Sequence, residues 1–357
     1  MQDQSVNLLI LGGSWFVGRV IAEDAVARDW NVTVFNRGRS STPPDGVRTI
    51  HGDRENGEDL ARLASEGPWD AAIDVAGSVP TMVRDAARAL QRATRKYVFV
   101  SSVSAYAGWP AEPVTESSPL HEGDPDMGSG DGPSHAYGPM KVGCEAAIRR
   151  EFGADQSLIL RPGVVLGPHE YVGRLKWWLG RALRGGQILA PGRADRVIQP
   201  IDVRDLATFV LDQIAGGGAG TYNAAAPTDR TYRDLLIACL AATGGSGELL
   251  WTNDQWLAAQ NVQQWTELPL WRVPPGTWAV DTQRATAAGL ACRPLAETVH
   301  DTWAWLSSGG RAVEHERDAE HGIEPRKEAA LLDAAQKAGA VDDRETFPAQ
   351  SEPAGKA

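Results

Sequence analysis

The run Val6-Asn7-Leu8-Leu9-Ile10-Leu11-Gly12-Gly13-Ser14-Trp15-Phe16-Val17-Gly18 joins a short apolar segment directly to a glycine-rich turn. The apolar segment predicts a buried β-strand, and the residues after the turn predict a helix that continues through Val26. Glycine allows the backbone to approach a pyrophosphate, and the free N–H groups at a helix start bind negative charge. We therefore predict a dinucleotide site with contacts from Gly12, Gly13, Ser14, Trp15, Phe16, Val17 and Gly18.

The residues after the second predicted strand bear on the choice of dinucleotide. That strand covers residues 31–35 and is followed by Asn36, Arg37, Gly38 and Arg39. An acidic residue at this place binds the adenosine ribose and repels a 2′-phosphate, whereas arginine favours the phosphate. We assign Asn36, Arg37 and Arg39 to the cofactor, and the arginines favour NADP over NAD. The alternative is that one or both arginines only solvate a loop.

The rest of the first half repeats the same alternation of strands and helices. Strands are predicted near residues 47–51, 71–75, 97–101 and 158–161, and helices at 57–65, 81–94 and 136–152. This order predicts an α/β fold, namely a Rossmann doubly wound parallel sheet with a smaller C-terminal substrate cap. Catalytic side chains of such a sheet lie where its strands end, and Ser101 and Ser102 occur at such a place.

Tyr137 and Lys141 are four residues apart in a predicted helix. Tyrosine ordinarily keeps its proton at neutral pH, since its free pKa is about 10, and a neighbouring cation favours the phenolate. A lysine one helical turn later is well placed to supply that cation. The spacing alone also fits a solvated helix face. Only together with the glycine turn and the serine pair does it indicate redox chemistry on a nicotinamide.

From about Val6 to Trp305 the chain resembles the extended short-chain dehydrogenase/reductase superfamily, in particular the NAD-dependent epimerase/dehydratase group. Besides the glycine turn, the matching segments are residues 51–54, 74–77, 97–106, 137–141, 160–168 and 199–207. The resemblance implies that Tyr137 exchanges a proton with the substrate oxygen, Ser102 hydrogen-bonds that oxygen, and Lys141 binds the nicotinamide ribose. It also implies cofactor contacts from Asp53, Arg54, Val75, Ala76, Gly77, Ser101, Pro162, Gly163 and Val164.

Two departures from the family pattern narrow these implications. The family turn has glycine at three places, and Trp15 occupies the middle one. This variant is similar to an atypical branch that includes chloroplast stem-loop RNA-binding proteins and bacterial reductases. Sugar-nucleotide dehydratases of the family carry an acid pair directly after the residue matching Ser102, whereas Val103 and Ser104 follow here. Dehydration is therefore disfavoured.

Three functions remain open at this point. The main prediction is an NAD(P)(H)-dependent oxidoreductase that reduces a ketone or aldehyde of a small metabolite, or oxidises the alcohol, by hydride transfer with a tyrosine proton relay. The second is a nucleotide-sugar epimerase with bound NAD. Its diphosphate would need basic residues, for which the candidates are Arg174, Lys176, Arg181, Arg184, Arg193 and Arg196. The third is a non-catalytic dinucleotide-binding or RNA-associated protein.

Composition restricts the partners. The 357 residues carry a net charge of −11, which opposes binding to nucleic-acid backbones. The three cysteines are far apart and show no metal spacing, so we predict no metal site and buried thiols in a reducing cytoplasm. No leader or membrane-spanning run is recognised, which predicts a soluble, cytoplasmic protein acting on a small molecule. From the family resemblance we also expect a homodimer, with an interface formed by the helices at 81–94 and 136–152.

The predicted domains follow changes in composition. Residues 1–168 form the Rossmann domain, in which an acidic loop rich in proline and glycine at 109–133 is a lid over the substrate. Residues 169–308 are mainly the substrate-binding cap, with 197–213 returning to the Rossmann domain. Residues 309–357 form a charged, partly disordered tail with a helix at 324–338. Most tryptophans are expected to fill the core, and the candidates to line an apolar pocket are Trp177, Trp178 and Trp271.

Overall fold

The computed structural model describes residues 5–39 and 42–348, and the predicted features at residues 1–4, 40–41 and 349–357 lie outside them. The described chain divides into two compact units. The first takes the residues up to Val165 together with Val203–Ala226 and Pro275–Cys292. The second takes Leu166–Asp202, Pro227–Pro274 and the residues from Arg293 onward. In this described part of the chain, no helix is long and apolar enough to cross a membrane.

Strands and helices alternate through the first half of the chain. The strands are β1 (Asn7–Leu11), β2 (Asn31–Asn36), β3 (Arg48–His51), β4 (Ala71–Asp74), β5 (Tyr97–Val100), β6 (Ser157–Pro162), β7 (Val165–Leu166), β8 (Gly186–Pro191), β9 (Ile201–Asp202), β10 (Gly220–Ala224), β11 (Gly247–Thr252), β12 (Gln264–Trp265), β13 (Leu268–Pro269) and β14 (Val341–Phe347). The helices are α1 (Phe16–Ala27), α2 (Gly57–Ser65), α3 (Pro80–Leu90), α4 (Tyr137–Phe152), α5 (Arg174–Arg184), α6 (Val203–Ala215), α7 (Tyr232–Thr243), α8 (Asp254–Ala259), α9 (Gln283–Ala287), α10 (Leu295–Ser307), α11 (Glu316–Ala319) and α12 (Pro325–Ala338). Single 3₁₀ turns lie at Val103–Ala105 and Pro133–His135.

The first unit is built around a seven-stranded sheet in the order β3-β2-β1-β4-β5-β6-β10, and every neighbouring pair is parallel. Every residue of β4, β5 and β6 is buried, as expected for a parallel sheet covered on both faces. The strand order reverses between β1 and β4, and the carboxyl ends of these strands form the switch point where such sheets bind ligands. This confirms the predicted α/β class and the Rossmann sheet.

The loop between β5 and α4 is fixed to two helices of the first unit. Asp126 binds Arg84 of α3 at 2.8 Å and Arg150 of α4 at 2.9 Å. A Cβ added at Gly123 would lie 2.5 Å from the backbone nitrogen of Gly143, so the loop and α4 are in close contact. These contacts hold residues 123–127 against α3 and α4. The lid function of residues 109–133 and the homodimer through these helices stay predictions.

The second unit has a three-stranded sheet in the order β8-β11-β14 and a core rich in aromatic rings. Trp178 and Trp271 are at most 1% exposed, and each indole N–H has an acceptor at 2.7 Å, Pro269 O and Asp254 Oδ1 respectively. A buried ring with a bonded N–H has no surface left for a ligand. These two tryptophans are therefore core residues. They do not line the apolar pocket for which the sequence made them candidates.

Residues 310–348 are part of the second unit. β14 pairs antiparallel with β11, and Glu328 of α12 binds Arg181 of α5 at 2.8 Å with both side chains buried. The helix expected at 324–338 is α12. The sequence predicted a charged, partly disordered tail from residue 309. Up to Pro348, however, a paired strand and an ion-paired helix tie this segment to the second unit. Likewise, residues 275–292 belong to the first unit rather than to the cap.

Candidate active site

The turn between β1 and α1 has the backbone that a pyrophosphate site requires. Gly12 and Gly13 have φ angles of 111° and 85°, in the region that favours glycine. A Cβ at Gly12 would lie 2.7 Å from Val75 Cγ2, and one at Gly18 would lie 2.7 Å from the backbone nitrogen of Gly13. α1 has no side-chain cap and no acidic residue in its own first turn, which suits the binding of an anion at a helix start. These features fit a dinucleotide.

Trp15 occupies the place where the family turn usually has glycine, and its backbone angles do not themselves require glycine. Its φ and ψ of −121° and 149° are those of an extended residue, which any side chain adopts. The glycine requirement therefore falls on Gly12, Gly13 and Gly18. The unusual conformation lies one residue later, since Phe16 has a φ of 25°. A sparsely populated backbone angle at this point is typical of functional turns.

The end of β2 presents hydrogen-bond donors. The Asn36 side-chain oxygen accepts the backbone N–H of Gly38 at 2.8 Å, which fixes the orientation of the amide. Its Nδ2 is buried and has no hydrogen-bond partner among the described residues. Arg37 and Arg39 are exposed on either side of Gly38. The Asn36 donor and the two nearby cations suit the oxygens of a phosphate. They suit a pair of ribose hydroxyls less well, because those hydroxyls need an acceptor.

Arg54, which the resemblance assigns to the cofactor, is bound within the first unit. Its guanidinium donates to both carboxylate oxygens of Asp74, at 3.1 and 2.7 Å. Asp74 also accepts the Tyr97 hydroxyl at 3.0 Å and the backbone N–H of Ala76 at 3.1 Å. Burial opposes the charge of Asp74, but Arg54 and Tyr97 more than offset it and lower its pKa. This cluster fixes the turn after β4, and it was not recognised from the sequence.

The other residues assigned to the cofactor lie at strand ends. Asp53 accepts the N–H of Glu55 at 3.0 Å in the turn after β3, while Val75 is half-buried and Ala76 is exposed after β4. Pro162 ends β6, and the Gly163 N–H donates to Ala224 O at 3.0 Å. Val164 is 9% exposed. Their positions at the carboxyl ends of the strands agree with a cofactor role, which remains a prediction.

Lys141 is buried beside an exposed Tyr137. The lysine is 5% exposed, and its ammonium donates to Gly77 O at 2.7 Å and Val100 O at 3.0 Å. An ammonium has three donors, and the third has no acceptor among the described residues. Lys141 Nζ lies 5.7 Å from the centre of the Tyr137 ring. The tyrosine is 57% exposed, and within the described chain its hydroxyl makes no hydrogen bond. A buried cation thus lies beside an available phenol.

Ser102 follows β5 and begins the 3₁₀ turn at Val103–Ala105. Its oxygen accepts the N–H of Ser104 at 3.1 Å, and its own proton is donated to no described residue. That proton can therefore be given to a substrate oxygen. A Cβ at Gly138 would collide with Ser104 O, so the first turn of α4 packs directly on this turn. Ser102 and Tyr137 accordingly come from two segments in contact. Their shared catalytic role stays a prediction.

Ser101 has a different role from its neighbour. Its hydroxyl donates to Glu145 Oε1 at 2.6 Å, and both side chains are buried. In this position it does not offer a donor to a cofactor. Glu145 was not singled out from the sequence, although it lies four residues after Lys141 on α4 and so shares its helix face.

The basic residues considered for a nucleotide diphosphate are mostly neutralised within the second unit. Five of the six lie within 4 Å of a carboxylate, in the pairs Arg174–Glu170, Lys176–Asp318, Arg181–Glu328, Arg193–Asp195 and Arg196–Asp254. Arg184 has no carboxylate partner among the described residues, and its guanidinium contacts Gly180 O at 3.5 Å. An ion-paired arginine binds a phosphate less readily, because its partner already occupies the guanidinium. Across the same described residues, no group of three or more His, Cys, Asp or Glu side chains could hold a metal ion.

Comparison with known proteins gives three kinds of match. The sequence model of the NAD dependent epimerase/dehydratase family matches residues 8–225. A curated relative, chloroplast stem-loop binding protein of 41 kDa b from Arabidopsis thaliana, is 24% identical over 254 residues. That match covers 67% of this chain and spans only 63% of the relative's length.

Solved structures share the fold at low sequence identity. A putative epimerase from Burkholderia cenocepacia has a TM-score of 0.64 at 19% identity, with 85% of this chain and 99% of that chain covered. WbmH from Bordetella bronchiseptica, crystallised with NAD+, has a TM-score of 0.64 at 17% identity over 86% and 100%. UDP-glucose 4-epimerase from Thermotoga maritima, solved with UDP-glucose, has a TM-score of 0.62 at 19% identity over 85% and 99%.

Proposed function

The chain belongs to the NAD-dependent epimerase/dehydratase family, and from this premise we propose that it is an epimerase acting on a nucleotide-linked sugar. The family makes it an NAD-dependent enzyme of the extended short-chain dehydrogenase/reductase superfamily. The observation that carries the proposal is the buried Lys141 beside the unbonded hydroxyl of Tyr137. The similar structures include a putative epimerase and a UDP-glucose 4-epimerase solved with UDP-glucose, and these support the substrate class.

The chemistry follows from what these side chains can hold and donate. The turn after β1 would hold the pyrophosphate of the dinucleotide, whose nicotinamide would supply reversible hydride transfer at a carbinol carbon of the substrate. Tyr137 takes the proton of the substrate hydroxyl and later gives it back. No net oxidation occurs when the hydride is also returned, to the opposite face of the ketone. The Lys141 charge stabilises the phenolate between these steps, and the free proton of Ser102 bonds the substrate oxygen. Because Val103 and Ser104 carry no acid, water elimination is not supported.

A second candidate is net reduction of a ketone or aldehyde by NADPH. Two observations favour it: the donor and cations at Asn36, Arg37 and Arg39 suit a 2′-phosphate, and five of the six candidate bases for a nucleotide diphosphate are already ion-paired. The Arabidopsis relative is named for stem-loop binding, which adds a non-catalytic, nucleic-acid-associated protein as a third possibility. The net charge of −11 opposes it.

The cofactor and the product distinguish these candidates. Nucleotide released from denatured protein is identified first. Native protein is then incubated with UDP-glucose and NAD+, and separately with NADPH and a panel of ketones. Formation of UDP-galactose without accumulation of NADH supports the epimerase, whereas consumption of NADPH with a ketone supports the reductase. Tyr137→Phe should abolish either activity. The proposal fails if neither nucleotide binds, or if the Phe variant keeps full turnover.

A further inference from the structure

A buried polar network lies directly behind Ser102, Tyr137 and Lys141. Glu145 and Arg161 are each 3% exposed at the side chain, and the guanidinium binds both carboxylate oxygens, at 2.9 and 2.5 Å. The same carboxylate accepts the Ser101 hydroxyl at 2.6 Å. Glu145 lies on α4, Ser101 follows β5, and Arg161 is part of β6. One carboxylate therefore joins three elements of the first unit.

The network extends beyond the ion pair. The Arg161 guanidinium lies 4.8 Å from the centre of the Tyr106 ring, and the Tyr106 hydroxyl donates to Asn223 Oδ1 at 2.7 Å. Both Tyr106 and Asn223 are fully buried. Asn223 lies on β10, and its side-chain amide donates to Asp281 O at 3.0 Å. Hydrogen bonds and a cation–π contact thus connect the segments before and after Ser102 to the edge of the sheet.

Two bonds, one helical turn apart, fix α4 against the end of β5. Lys141 donates to Val100 O, and Glu145 accepts the hydroxyl of Ser101. Val100 and Ser101 immediately precede Ser102, and Tyr137 lies one turn before Lys141 on the same helix. These bonds to two successive residues connect α4 to the end of β5 at two points along the helix. We propose that Glu145, held by Arg161 and bonded to Ser101, is a positioning residue that sets Ser102 relative to Tyr137 in the proposed reaction.

Stability alone does not account for such a pair. Well-packed apolar residues often replace a buried ion pair with no loss of stability, whereas removing one partner alone costs several kcal/mol. The pair does provide defined directions, because a bidentate guanidinium and carboxylate are planar and fix each other's orientation. A misplacement of about 1 Å can cost about 100-fold in rate. The network therefore acts on the geometry of the reacting groups.

Three changes test the positioning role, with Ser157→Ala as the matched control. Ser101→Ala removes the bond between β5 and Glu145 and leaves the ion pair intact, and Ser101→Thr restores a hydroxyl. The double variant Glu145→Leu/Arg161→Met removes both charges together. Ser157 is also a fully buried serine of the first unit, and its hydroxyl donates to Gly153 O at 2.6 Å, outside the network.

The first measurement is amide hydrogen exchange, which needs no substrate. In Ser101→Ala and in the double variant, the amide hydrogens of residues 102–106 and 137–141 should exchange about 10-fold faster than in native protein. The urea midpoints of these variants should be like that of Ser157→Ala. The second is turnover, by whichever reaction native protein shows with UDP-glucose or with NADPH and ketones. The kcat should fall by about 10- to 100-fold with KM within about twofold, and Ser101→Thr should recover most of it.

Native-like exchange and kcat in Ser101→Ala would overturn the positioning role. So would a kcat in Ser157→Ala that falls as far, because the effect would then follow lost stability. The proposed function fails separately, if native protein turns over neither substrate class. In that case hydrogen exchange alone decides, since faster exchange confined to the two segments supports the positioning role and unchanged exchange removes it.

Discussion

Lys141→Met separates the structural role of the buried lysine from its chemical role. Two carbonyl oxygens, Gly77 O and Val100 O, accept from the ammonium, and the lysine side chain is buried. A buried acceptor without a partner costs about 1–3 kcal/mol. Methionine fills much of the same space, and the variant no longer buries an ammonium, which recovers part of the loss. We expect a net destabilisation of about 2–4 kcal/mol.

The assay is thermal and urea unfolding of purified variants. A loss of this size corresponds to a Tm lower by about 5–15 °C for a unit of this length. Lys176→Met is the matched control, since Lys176 is 53% exposed and pairs with Asp318 at the surface. That change should cost less than about 1 kcal/mol. Tyr137→Phe should change stability by less than about 0.5 kcal/mol, because its hydroxyl has no partner in the described structure. Native-like stability of Lys141→Met would show that the two carbonyl oxygens do not depend on the ammonium of Lys141.

Three further outcomes are expected. Gly18→Ala should weaken NADH or NADPH binding at least about 10-fold in a fluorescence titration, because the new Cβ would lie 2.7 Å from Gly13 N. Because its pKa is lowered in the folded protein, ionised Asp74 adds stability above about pH 4, and this stability is lost as pH falls through the folded pKa. In urea titrations, Asp74→Asn should therefore unfold more easily than native protein at pH 7. Its urea midpoint should also change less when the pH is lowered. Burial raises the pKa of Cys144 to about 12, so a thiol reagent at pH 8 should label Cys292 in native protein and leave Cys144 unreacted until urea is added.

The sequence predicts the sheet well because its signals are local. The apolar strands and the glycine turn at Gly12 and Gly13 can each be recognised from a short stretch of sequence. Together they indicate a parallel sheet with a turn at its switch point. The spacing of Tyr137 and Lys141 is local too. Their placement on the first turns of α4 follows from helix geometry, and the structure brings that helix against the turn that begins at Ser102.

What the sequence does not reveal are contacts between distant residues. Arg54 binds Asp74, and Ser101 binds Glu145, 44 residues away along the chain. Arg54 and Ser101 were predicted to contact the cofactor, because they lie in segments that match the family. A matching segment does not show whether a side chain is already hydrogen-bonded within the protein. The same holds for five of the six basic residues considered for a nucleotide diphosphate, whose carboxylate partners include Asp318 and Glu328 in the segment predicted as a tail.

The comparisons refine the functional prediction. Family membership and the fold are confirmed, and the similar structures include epimerases and proteins crystallised with NAD. They support the epimerase better than the ketone reductase that was the main prediction. The preference for NADP remains a proposal that depends on Asn36, Arg37 and Arg39.

The central claim is that the turn after β1 holds a nicotinamide dinucleotide beside Tyr137 and Lys141. Its most direct test is titration of nucleotide-free protein with NADH and NADPH, followed by nicotinamide fluorescence, with Gly18→Ala as the comparison. We expect saturable binding of one or both dinucleotides by native protein and much weaker binding by the variant. No detectable binding of either dinucleotide to native protein would contradict it.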